Sequence, residues 1–298
     1  MHPHAETFRL HAAPLEPIPT GECPRLANLE GLRAVVFDIY GTLLISAAES
    51  GRERRDPAAA GQHLRQTLES FPGLRVAPAA GDAELAEAFI EADREHRDRL
   101  RGEGIEFPEP DIRAVWRGFL DTLAATGRLT STAPGAEETE SLIVTCECLA
   151  NPVWPMPGLA ETLAGIRKLG SRLGIVSNAQ FYTRHLFPAL LGNDLEGLGF
   201  DPTLMVFSHE LRESKPSPRL YEILAEKLER QGIPPAEALY IGNDLRNDIW
   251  PARSVGFKTS LFAGDARSLR WRGDDPRLAG VTPDLVVTDL RQILDCLV

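Results

Sequence analysis

The chain is poor in cysteine, in long apolar runs and in positive charge, and each shortage closes off a class of protein. Its four cysteines, at 23, 146, 148 and 296, are scattered over 298 residues. Cys146-x-Cys148 has neither the usual zinc-ligand spacing nor a second ligand pair, so the thiols read as reduced packing or surface groups, as expected in cytosol. No segment approaches the roughly 18 consecutive apolar residues of a membrane span. The opening stretch "MHPHAETFRLHAAPLEPIPTGECPRLANLEG" lacks the apolar centre of a secretory signal and holds several prolines, which predicts a loosely held extension. A formal charge of -11 and a pI near 5.2 exclude a general attraction to nucleic acid or anionic membrane and leave only local positive pockets. There is no internal repeat and no low-complexity tract. These absences predict a cytoplasmic protein with neither nucleic-acid nor membrane partners.

What is present, 43% hydrophobic and 25% charged, suits one large domain carrying an insert, or two domains. After residue 151 short β-like runs alternate with helical patterns. "GLAETLAGIRKLG" puts Leu159, Leu163, Ile166 and Leu169 on one face and "RLGIVS" follows as a strand. A helix near 180–190, the run "TLMVFS", a helix with Leu220, Ile223, Leu224 and Leu228, and the strand "ALYIG" come next. A helix from about 245, the strand "KTSLF", "DLVV" and a short last helix complete the series. This alternation predicts a doubly wound, Rossmann-like α/β core with a mostly parallel sheet.

The first strand, "RAVVFD", lies more than 100 residues upstream of the others. Between 46 and 151 the patterns are helical only: "DAELAEAFIEADREHRDRL", "DIRAVWRGFLDTL" with Ile112, Val115, Trp116, Phe119, Leu120 and Leu123 along one stripe, and "ETESLIVTCECLA". The expected organisation is an extension over 1–30, an α/β core from 31–45 and 152–298, and an all-helical insert over 46–151.

Ligands of open parallel sheets bind beyond the carboxyl ends of the strands. Four strand candidates end there in polar residues: Asp38 with Gly41 and Thr42 in "FDIYGTL", Ser177 and Asn178 in "VSNA", Lys215 in "SKPSP", and Asp244 with Asp248 in "IGNDLRNDIWPARSVG". Asp244 and Asp248, four apart, would stack on one face of a helix start. In their order these motifs resemble the haloacid dehalogenase superfamily, over about residues 31–45 and 152–265. The resemblance implies a helical cap where the insert lies. It also implies that Asp38 is a nucleophile forming an aspartyl intermediate, with Thr42 and Asn178 beside it. Ser177 would hold a transferring phosphoryl oxygen, Lys215 would neutralise developing charge, and Gly41, Ser177, Asn178 and Lys215 would contact the substrate. Asp38, the Tyr40 carbonyl, Asp244 and Asp248 would hold Mg²⁺, a cation that prefers oxygen ligands.

Tyr40 departs from that pattern. Most phosphatases of the superfamily carry a second aspartate there as general acid and base, and a tyrosine with a pKa near 10 is a poor substitute. The dehalogenases carry "D-x-Y-G-T", because halide leaves without a proton. "GNDLRND" points the other way, since two carboxylates without a cation repel each other. The leading expectation is a Mg²⁺-dependent phosphohydrolase acting on a small phosphorylated metabolite. The alternatives are a metal-independent 2-haloacid dehalogenase and a non-catalytic phosphoester-binding protein. In the insert, Arg52, Arg54 and Arg55 read as a solvated basic run, Trp116 as core, His96 as a similar packing case, and His209 as a surface-loop residue.

Overall fold

The structure is a computed structural model and describes residues 2–47, 57–130 and 134–297. The strands are β1 (Ala34–Phe37), β2 (Leu44–Ser46), β3 (Val153–Pro155), β4 (Arg172–Ser177), β5 (Phe200–Phe207), β6 (Ala238–Gly242), β7 (Lys258–Phe262) and β8 (Leu285–Val287). Six of them form one sheet in the order β5-β4-β1-β6-β7-β8, every pairing parallel. From β1 the chain steps outward through β4 to β5, then returns to the other flank of β1 with β6. The direction of winding therefore reverses at β1, and the crevice of a doubly wound sheet opens at such a reversal.

β1 is buried throughout, which is why it reads as an unbroken apolar run rather than an alternating one. Its residues divide between two cores. Val35 and Phe37 join Leu163, Ile166 and Ile293 on one face, while Ala34 and Val36 join Leu220, Leu224 and Phe257 on the other. The covering helices include α6 (Leu159–Lys168), α7 (Thr183–Leu191), α8 (Ser208–Leu211), α9 (Arg219–Glu229) and α10 (Trp250–Val255).

Between β2 and β3 come α2 (Pro57–Ser70), α3 (Asp82–Gly102), α4 (Ile112–Ala125) and α5 (Ala136–Ala150). The stripe predicted in α4 is inward: Val115, Trp116, Phe119, Leu120 and Leu123 are buried, and Asp111 caps the helix by accepting from the Arg113 N–H. β2 and β3 pair antiparallel, a two-stranded ribbon through which the helical insert leaves and rejoins the sheet. The insert and one face of the sheet share a continuous apolar cluster, since Leu64, Phe119 and Leu142 belong with Phe37 and Ile175.

The N-terminal segment is not loosely held. Helix α1 (Pro3–His11) buries His4, Ala5 and Phe8 and packs on both α5 and α7. Further on, the Ile18 N–H donates to Asp265, Arg25 pairs with Val286, and Leu29 bridges Leu297. A one-residue N-cap and three buried side chains give too weak a periodicity to read from sequence, and the contacts that order the segment lie more than 100 residues away.

Candidate active site

The ends of β1, β4 and β6 bring Asp38, Ser177 and the Asp248 loop together. Asp38 Oδ1 accepts from Ser177 Oγ at 2.9 Å and from Lys215 Nζ at 2.7 Å. Lys215 Nζ also donates to Asp248 Oδ1 at 2.6 Å. All four side chains are buried. Asn178 acts on the loop rather than on the carboxylates, its Oδ1 accepting from the Lys215 N–H at 2.8 Å and fixing where that loop passes. Thr42 donates to Asn243 Oδ1 at 3.2 Å. Gly41, at φ 82, is pressed by Ser268 and Asn243, so a side chain there would collide with both.

The two acidic residues of the last motif part company. Asp244 lies outside the helix, in extended backbone, and its carboxylate accepts from the Arg246 and Asn247 N–H groups. Arg272 grips it as well, at 2.6 and 3.2 Å. Asp248 sits within a single π turn, Leu245–Ile249, and points back at the end of β6, where its Oδ2 accepts from the Asp244 N–H at 3.0 Å. A Cβ on Gly242 would stand 2.3 Å from Asp248 Cγ, so only glycine leaves room for that carboxylate. The i, i+4 spacing does not place both carboxylates on one helical face, because the first of the pair caps the turn instead of belonging to it.

The expected Mg²⁺ ligand trio is accordingly not gathered: no cluster of three acidic, histidine or cysteine side chains able to hold a metal occurs among the described residues. The protein supplies its own counter-cations, Arg272 for Asp244 and Lys215 for Asp248, which answers the repulsion within that pair and leaves the charge of Asp38 to share the same ammonium. A smaller set does suit Mg²⁺, which is commonly held by one or two carboxylates, water and substrate phosphate. Among the described residues Asp38 Oδ2 has no hydrogen-bond partner, and Asn243 follows β6 two residues after Ile241, whose carbonyl accepts from the Asp38 N–H.

Burial alone would lower the Lys215 pKa, but Asp248 and Asp38 outweigh it and hold the ammonium above its ordinary value. Asp248 is raised, by burial first and with Asp38 adding to it against the pull of Lys215. One ammonium shared by two buried carboxylates leaves the cluster short of positive charge.

Tyr40 is half-buried against the apolar cluster, its hydroxyl 2.9 Å from Thr183 Oγ1 at the start of α7. Burial, then the charge of Glu147, pushes its pKa above the ordinary tyrosine value, so it is no base at neutral pH.

Several site neighbours escaped the sequence reading. Tyr240 reads as a plain apolar strand residue, yet its hydroxyl lies 3.1 Å from Lys215 Nζ and 2.9 Å from Asp248 Oδ1. Asn243 and Arg272 carried no motif signal of their own. Arg52, Arg54 and Arg55 lie outside the described residues. His209 is half-buried in α8, with Nδ1 on the Ala179 carbonyl at 2.9 Å, rather than in a surface loop. His96 bonds the Ala92 carbonyl of its own helix, and Trp116 is core.

One stretch of the insert, the loop before α4 and the first residue of that helix, reaches the core beside this site. The Gln180 amide donates to Glu109 at 2.6 Å and to the Pro110 carbonyl at 3.0 Å, and the Ile112 N–H donates back to Gln180. Residues 107–109 also pair with 212–214.

A haloacid dehalogenase-like hydrolase profile matches residues 32–256. The chain belongs to that family. It is 26% identical over 268 residues to an N-acetylmuramic acid 6-phosphate phosphatase of Pseudomonas aeruginosa, covering 89% of this chain and 95% of the relative. Over 142 residues it is 28% identical to a glyceraldehyde 3-phosphate phosphatase of Methanopyrus kandleri, a match spanning 47% of this chain and 55% of that protein. A (S)-2-haloacid dehalogenase of Xanthobacter autotrophicus is 26% identical, over 78% of this chain and 75% of its own. Among solved structures, a 2-haloacid dehalogenase from Pseudomonas syringae superposes with a TM-score of 0.52 at 20% identity, covering 89% and 97% of the two chains, which bears on the fold alone. The protein is therefore a hydrolase of this family, with phosphatases and dehalogenases both among its relatives. No helix among the described residues is long and apolar enough to cross a membrane.

Proposed function

We propose that the protein hydrolyses a phosphate monoester of a small metabolite through an aspartyl-phosphate on Asp38. The observation that carries this reading is the clamp on Asp38: one oxygen is fixed by Ser177 and Lys215, at 2.9 and 2.7 Å, while the other accepts nothing among the described residues. A carboxylate so oriented attacks phosphorus directly, with no hydroxyl or thiol proton for a base to remove. The P–O bond to the leaving group breaks, and water then cleaves the acyl phosphate to regenerate Asp38. Lys215 holds the carboxylate in place and balances charge through the transfer.

The charge deficit of the cluster supports a divalent cation in this reading. Asp38, with the Tyr40 carbonyl and the Asn243 side-chain oxygen, would hold Mg²⁺, which when bound supplies positive charge to the phosphoryl oxygens. The insert, tied to the core at Gln180, would act as the cap that selects the substrate. The near full-length similarity to an N-acetylmuramic acid 6-phosphate phosphatase supports a phosphorylated small molecule as the substrate class.

A second reading rests on Tyr40. A hydroxyl held protonated and engaged with Thr183 offers no general acid or base, and carbon–halogen cleavage needs neither on the leaving group. The deciding experiment measures phosphate release from a panel of sugar and aryl phosphates with Mg²⁺, against halide release from 2-haloacids with EDTA. Phosphate release alone supports the first reading; halide release alone replaces it with the second.

A further inference from the structure

We propose that Tyr240 is a positioning residue, whose hydroxyl oxygen accepts a hydrogen bond from the third N–H of the Lys215 ammonium and so fixes that ammonium between Asp38 and Asp248. The inference rests on the reading of Asp38 as the reacting carboxylate, and deepens it.

A lysine ammonium has three protons and accepts nothing. Lys215 Nζ has three oxygens in range: Asp38 Oδ1 at 2.7 Å, Asp248 Oδ1 at 2.6 Å and Tyr240 Oη at 3.1 Å. The group is buried, so water does not compete for a proton. Without the phenol the ammonium would face two carboxylates with its third N–H unmade. It could then swing away from Asp38, and a buried cation left short of a partner is costly.

Tyr240 is itself over-subscribed. Its hydroxyl has one proton, and two acceptors face it, Asp248 Oδ1 at 2.9 Å and the Val176 carbonyl at 3.0 Å. A phenylalanine would fill the same apolar space between Tyr221 and β1 at no desolvation cost, so packing alone gives no reason for the hydroxyl. The ring is braced by Tyr221, whose centroid lies 4.9 Å away at 72°, and whose own hydroxyl is anchored on the Asn247 carbonyl at 2.7 Å. From β6 the phenol thus reaches across β1 to the end of β4. It ties together the three strands whose ends carry Asp38, Ser177 and the Asp248 loop.

The test reads the ammonium directly. The chain has only four lysines, at 168, 215, 227 and 258, so a ¹⁵N-lysine-labelled sample gives few resonances. In the wild type the Lys215 ammonium protons are expected to exchange with water far more slowly than those of exposed Lys168; exchange at the same rate would overturn the proposal without any variant. Tyr240→Phe is expected to speed that exchange relative to the wild type and to lower kcat by about 10–100-fold, the worth of one hydrogen bond to a charged group, with KM within about twofold. Slow exchange and an unchanged kcat in Tyr240→Phe would sink it, as would a fall in kcat accompanied by unchanged exchange, since that marks a purely structural loss. Should Tyr240→Phe not fold, Tyr240→Met removes the hydroxyl with a more adaptable side chain and carries the same expectations. Full turnover by Asp38→Asn would dispose of the reaction assigned to Asp38, a result distinct from the exchange measurement, which needs no substrate.

Discussion

The hydroxyls of Tyr40 and Thr183 meet at 2.9 Å, and the same Thr183 oxygen also accepts from the Gln180 N–H at 3.2 Å. The loop after β1 is thereby fastened to the first turn of α7, and the tyrosine two residues beyond Asp38 serves as a strut. Were Tyr40 the general acid, Tyr40→Phe would cost about 10²–10⁴-fold in rate. The expected loss is under tenfold, with about 1 kcal/mol of stability for the missing hydrogen bond. Steady-state kinetics and thermal melts of that variant check both.

The same absence of an acid sets a leaving-group preference. Aryl phosphates, whose phenolate departs unaided, should be turned over far faster than alkyl phosphates, by a factor approaching about 10²–10⁴. Tyr40→Asp should narrow the gap. Equal kcat/KM for p-nitrophenyl phosphate and a simple alkyl phosphate in the wild type would mean that another group delivers the proton.

Asp244 and Asp248 should separate under mutation. Asp244→Asn keeps an N-cap and loses the Arg272 pair, costing on the order of 1 kcal/mol of stability with little change in rate or in Mg²⁺ dependence. Asp248→Asn removes a carboxylate from Lys215 and should lower kcat by at least about tenfold. A Mg²⁺ titration of activity in which Asp244→Asn is the more damaged variant would contradict the ligand set proposed around Asp38.

Gly242→Ala should be among the most disruptive small changes in the protein. Its methyl would enter the space of the Asp248 carboxylate, 2.3 Å from Cγ. Overpacking of this kind typically costs about 1–3 kcal/mol. Near-complete loss of turnover is expected alongside a folded circular dichroism spectrum; retention of wild-type kcat would show that Asp248 can occupy another rotamer without consequence.

Three imidazoles meet where α1 docks. His185 stacks on His2 at 4.1 Å and lies 5.4 Å from His4, whose Nε2 is 3.3 Å from Glu140. Burial, then His2 and His4, pull His185 down from an ordinary 6.5 to about 4. The unfolded chain therefore takes up a proton near pH 6.5 that the folded protein refuses until about pH 4. Stability should drain away across that interval as pH falls, and level off below it, by on the order of 1 kcal/mol once solvent screening is allowed for. Urea unfolding at several pH values should show this slope in the wild type and a shallower one in His185→Phe, which keeps the stacking.

The parts of the fold legible in the sequence were those with one dominant cause. Buried parallel strands such as "AVVF" and "ALYIG" need apolar residues at every position, and the stripe of α4 follows from the helical period. Asp38, Ser177 and Lys215 were found because each ends or follows a strand. What escaped depends on partners remote in sequence. Arg272 neutralises a carboxylate 28 positions earlier, Tyr240 looks like core until Lys215 is set beside it, and Pro155 disguised β3 as a loop. The spacing of Asp244 and Asp248 misled because one of them stands outside the helix.

The placement of the first thirty residues has a consequence for the order in which the chain can be assembled. Helix α1 finds its seat on α5 and α7, Arg25 pairs with Val286, and the Leu29 N–H waits for the Cys296 carbonyl. During synthesis, which proceeds from the N-terminus, α1 therefore precedes both of its partners by more than 100 residues, and the seat for its apolar face, Ala5 and Phe8, is incomplete until α5 and then α7 have been made. Contacts so distant in sequence also slow folding. The segment up to Leu29 is completed only when residues as late as Cys296 are in place.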